Sequence, residues 1–64
     1  LHILQLVIGD MLAELPETHR LIVERRIAGY QADEISSEVA RSKRTVERVL
    51  QEFRQKLSRL IDSN

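Results

Sequence analysis

A chain of 64 residues allows one domain, and at about that size folding hides only about 60% of the unfolded surface, leaving little depth for a catalytic pocket. Its make-up, 42% hydrophobic and 31% charged with zero net charge, is that of a folded globule, since disorder pairs low hydrophobicity with high net charge. Two aromatics, Tyr30 and Phe53, cannot stack the successive bases of a single strand, and the lack of cysteine excludes disulfides, thiolate zinc sites and a cysteine nucleophile while suiting a reducing cytoplasm.

The apolar periods are helical from end to end, with no repeat and no strand-like alternation, so an all-α fold of four helices is predicted. In the first helix Leu1, Leu4, Ile8, Met11, Leu12 and Leu15 share one face, with Gly9 costing about 1 kcal/mol relative to alanine. Ile3, Leu6 and Val7 widen that face, so the helix is either wrapped inside its own domain or covered on a second side by something beyond this chain. Pro16 suits a first helical position and starts the second helix, because its missing N–H is not needed there. Glu17 favours the positive end of that helix, Ile22, Val23 and Ile27 provide a buried stripe, and Gly29 can close it near Ala28.

A third helix is predicted from Ala32 to about Ala40, with Ile35 and Val39 inward and Asp33 and Glu34 in the first turn. Gln31 is a weak cap, and Glu34 can reach back to its N–H as half of a capping box. Ser42 caps the fourth and longest helix, whose stripe of Val46, Val49, Leu50, Phe53, Leu57, Leu60 and Ile61 runs nearly to the end. The longest apolar runs are triplets such as Leu6 to Ile8, against the roughly 20 residues of a membrane-spanning helix. No signal peptide is evident, and a start at Leu1 rather than methionine reads as a fragment of a longer chain.

Zero net charge conceals a gradient. Through Glu38 three arginines face seven carboxylates, a net of −4, whereas from Val39 onward seven basic residues face three acidic ones, a net of +4. Such asymmetry is the mark of a polyanion contact, or simply of a solvated helix face. The pattern of apolar and small residues favours the first reading. From Ala32 to Gln51 the chain reads as a short helix, a tight turn at Ala40 and Arg41, and a second helix with a basic outer face, which is a helix-turn-helix. Ser36 supplies the small residue at the helix crossing and Ala40 the small residue in the turn, where a β-branched side chain is expected to crowd. Ile35, Val39, Val46 and Val49 form the wedge.

Facing outward at i, i+3, i+4 and i+7 are Arg44, Glu47, Arg48 and Gln51. Arginine can fork onto guanine, glutamine onto adenine, and glutamate can accept from the cytosine amino group. Lys43 and the backbone N–H groups at the helix start suit phosphate, and Ser42 and Thr45 at that start are expected among the DNA-binding residues. Arg54, Lys56 and Arg59 either touch phosphate or merely cover a helix flank. His2 and His19 lie on different helices without further ligands at metal spacing. No metal or cofactor site is expected, and no nucleophile, base or carboxylate pair is placed for catalysis, so the chain is not expected to be an enzyme.

These residues resemble region four, the C-terminal promoter-binding domain of the sigma factors, and above all that of the extracytoplasmic-function group. Leu15, Pro16, Glu17 and Arg20 match the family's opening L-P-E-x-x-R, and Gly29 and Tyr30 followed by Asp33, Glu34 and Ile35 match G-[LY]-x-x-[DE]-E-I-A. Ser42, Thr45 and Val46 match S-x-x-T-V, and Lys56 and Leu57 the closing K-L. The resemblance spans roughly residues 10 to 61. It implies a cytoplasmic domain that reads the minus-35 promoter element, docks on the β flap of RNA polymerase and answers to an anti-sigma factor, with a promoter-melting region upstream. Ala40 in place of the turn glycine, Arg25 at a usually apolar position and Glu47 at an often basic one depart from the pattern. The DNA-binding domain of LuxR-type regulators shares T-V and the final K-L but not Pro16-Glu17, nor a histidine at Val49. A small helical interaction module is the third reading.

Overall fold

The computed structural model describes residues 2–62, which form α1 (His2–Glu14), α2 (Glu17–Ile27), α3 (Ala32–Val39) and α4 (Lys43–Asp62). Leu1 of the expected first stripe lies outside the described residues, as does the side chain of His2. Each helix stops where local chemistry requires it. Pro16 stands one position earlier than expected, in an extended conformation (φ −55°, ψ 154°) just before α2. Its ring tolerates that φ, and its carbonyl accepts the Arg20 N–H at 2.9 Å, so proline flanks the helix rather than entering it.

At the other end of α2, Gly29 adopts φ 106°. The N–H groups of Gly29 and Tyr30 donate back to the carbonyls of Arg26 and Arg25, both at 3.0 Å, which is the paired closure a left-handed glycine permits. In α3, the Gln31 N–H donates to Glu34 Oε1 at 2.8 Å, the expected half of the capping box.

The core is Met11, Ile22, Val23, Ile35, Val46, Val49, Leu50 and Phe53, drawn from all four helices. Ile22, Ile35 and Val46 are completely buried where α2, α3 and α4 meet. Two expectations fail at the edges. Ile27 is 62% exposed because it lies about 140° round the helix from Ile22, off the face turned to α3 and α4. Leu60 and Ile61, the end of the α4 stripe, are about half exposed: α4 runs past the globule, and Leu57 is the last stripe residue packed against the core. In α1 the division is along its length. Met11 is buried, with Val7, Ile8, Leu12 and Leu15 packed against the core, whereas Ile3, Leu4 and Leu6 stay exposed. The helix is therefore wrapped by its own domain only over its second half.

Arg25 explains its own departure from an apolar position. Its Nε donates to Glu38 Oε2 at 2.6 Å, tying α2 to α3 across the surface, and its guanidinium lies 5.9 Å from the Tyr30 ring centroid. The hydrogen bond to Glu38, and then its charge, hold the guanidinium above its already high ordinary pKa.

Candidate nucleic-acid interface

The turn between α3 and α4 sets how α4 is presented. Ala40 sits at φ 57°, ψ 39°, in the left-handed region. The Arg41 N–H returns to the Ser36 carbonyl at 3.3 Å, and Ser36 Oγ donates to the Arg41 carbonyl at 2.5 Å. Ser36 thus pins the turn through both its side chain and its carbonyl. Ala40 is exposed, so its constraint is not the crowding expected of it but its backbone angle, which costs an L-residue roughly 1–2 kcal/mol that glycine escapes. Ala40→Gly is accordingly expected to stabilise the fold by about 1 kcal/mol, while Ala40→Val destabilises it through backbone strain. Thermal melting of both variants checks this, and two unchanged midpoints would place the turn in another conformation.

Ser42 Oγ accepts the Thr45 N–H at 3.1 Å and caps α4 as expected, and its O–H is directed to Thr45 Oγ1 at 3.0 Å. Phosphate accepts but does not donate, so the donor left for an anion here is the Thr45 hydroxyl, with the N–H groups of Lys43 and Arg44 that have no partner in the first helical turn. Below the cap, the wedge forms as the spacing predicts. Ile35 and Val46 are fully buried, Val49 is nearly so, and Val39 is half-buried. Because α4 spends this face on the core, its opposite face is turned out. Lys43, Arg44, Glu47, Arg48 and Gln51 are all exposed, and Thr45 is half-buried beside them.

The structure brings Arg44, Glu47, Arg48 and Gln51 onto one face, with Lys43 at its edge one turn before Glu47. The Lys43 ammonium lies 3.1 Å from Asp33 Oδ1, and the hydrogen bond to Asp33 followed by its charge raises the lysine pKa above the ordinary value. A folded lysine value above the unfolded one means that this contribution is fully present at neutral pH and is lost as pH rises through the raised value. Sequence reading missed this pair. It also missed that Arg26, Gln31 and Ala32 line a shallow groove with Glu47, Gln51 and Arg54, since residues about twenty positions apart leave no mark in any helical period. Among the described residues no group of His, Cys, Asp or Glu is arranged to hold a metal ion, and no helix is long and apolar enough to cross a membrane.

Two helices crossing at Ile35 and Val46, joined by a left-handed turn, with a basic outer face on the second, define an all-α helix-turn-helix domain. The family model described as ECF sigma factor matches residues 3–63, and the chain belongs to that family. Comparison with curated proteins and with solved structures finds no match. Membership makes the chain a sigma factor acting in transcription initiation, in a family of non-enzymatic transcription factors whose partners are RNA polymerase and promoter DNA. The LuxR-type reading and the interaction module give way to it.

Proposed function

We propose that the 64 residues are a single helix-turn-helix domain of a longer sigma factor, and that α4 enters the major groove of the minus-35 promoter element. The observation that carries this is the exposed quartet of Arg44, Glu47, Arg48 and Gln51 on a helix whose other face is consumed by the core. Arg44 and Arg48 are the groups to fork onto guanine, Gln51 onto adenine, and Glu47 accepts from cytosine. Lys43, the Thr45 hydroxyl and the N–H groups that Ser42 leaves uncapped hold phosphate and set the register. Docking on the β flap of RNA polymerase, restraint by an anti-sigma factor and action in the cytoplasm rest on the family resemblance.

Selection from a randomised duplex library is expected to enrich one short motif, and affinity is expected to fall with salt. With about four phosphate contacts the slope of log K against log salt is near −3.6. A flat salt dependence or an unenriched library removes the reading.

A further inference from the structure

The basic helix of this chain starts with a lysine that already has an anion. Lys43 Nζ and Asp33 Oδ1 are 3.1 Å apart, and both side chains remain largely in solvent, 56% and 75% exposed. Asp33 belongs to the first turn of α3 and Lys43 is the first residue of α4, so the pair bridges the N-termini of the two helices. A carboxylate and a phosphate oxygen compete for the same ammonium, which offers a point charge and three donors on a flexible stem. The N-terminus of α3 also carries two carboxylates, Asp33 and Glu34, where a bare helix start would attract phosphate.

We propose that Asp33 is a built-in counter-ion that holds Lys43 back from the DNA backbone, so that the chain binds any duplex more weakly than its basic helix alone would. The inference rests on the reading of α4 as the DNA-facing helix. Asp33 acts on the sequence-independent part of binding. Arg44, Arg48 and Gln51, which read bases, are not engaged by it. The domain is thereby kept from lingering on arbitrary DNA without any change in which bases it prefers.

The test is Asp33→Asn, alone and combined with Lys43→Ala, measured on the selected duplex and on a scrambled one across a salt series. An exposed ion pair sets the scale of the gain at about two- to fivefold tighter binding, equal on both duplexes at low salt. The salt slope should steepen by up to about 0.9, the share of one phosphate contact. In the Lys43→Ala background the gain should vanish, because the competition has lost its object. Asp33→Ser, which removes the charge but keeps a residue at home in a first helical turn, must behave as Asp33→Asn does. Unchanged or weaker binding by both single variants, or an equal gain with Lys43→Ala, overturns the proposal while leaving the DNA reading intact. A wild-type chain that binds neither duplex overturns both.

Discussion

Ile35→Ala is expected to remove most of the stability of this domain, at a cost of about 2–5 kcal/mol. Ile35 is completely buried at the contact of α3 with α4, where Val46, also completely buried, comes from the other helix. Truncation leaves a cavity that two short-looped helices cannot easily close. At the usual 0.05–0.15 kcal/mol per residue, a domain of this size holds only about 3–10 kcal/mol in all, so the loss is a large fraction of the whole. Ile27→Ala removes the same atoms from a residue that is 62% exposed, and its cost should stay within about 0.5 kcal/mol. Urea titrations of the two variants make the comparison. Equal shifts in midpoint would mean that the wedge between α3 and α4 is not the centre of the core.

Arg48→Ala is the second large effect, and it concerns recognition. Arg48 is exposed, its side chain makes no ion pair or hydrogen bond among the described residues, and it lies beside Arg44 and Gln51 on the outward face of α4. Its fork is therefore available to a guanine edge. Loss of that fork is expected to cost about 1–3 kcal/mol on the selected site and to relax preference at one base position. Lys43→Ala, by contrast, should weaken all sequences similarly, as a phosphate contact does. Binding to a panel of single-base variants at fixed salt separates the two. A uniform loss with Arg48→Ala would make Arg48 a phosphate contact and move the reading face elsewhere on α4.

The helices and their ends were legible because their signals are local. Gly29 closes α2 through hydrogen bonds that span five residues or fewer, and Ser42 caps α4 three residues before its partner N–H. The wedge and the outward quartet followed from the helical period alone, since a face is settled once the helix is. Ala40 was marked as special by its place in the turn, but the reason was misjudged. A sequence shows that a residue is small, whereas the dihedral of 57° that makes smallness matter belongs to the folded backbone.

By itself, then, the sequence determined an all-α chain with a helix-turn-helix and a basic outward face on its last helix, because period, caps and breakers act over a turn or two. The tertiary structure alone decided which ends of the apolar stripes are covered: Ile27, Leu60 and Ile61 carry the right period yet face water, since burial depends on where a neighbouring helix stops. It alone also decided the charge pairs. Arg25 meets Glu38 thirteen residues away, and Lys43 meets Asp33 across the turn. Whether such side chains come within 4 Å is set by the angle at which helices cross, and that angle follows from how buried side chains such as Ile35 and Val46 fit together rather than from any spacing along the chain.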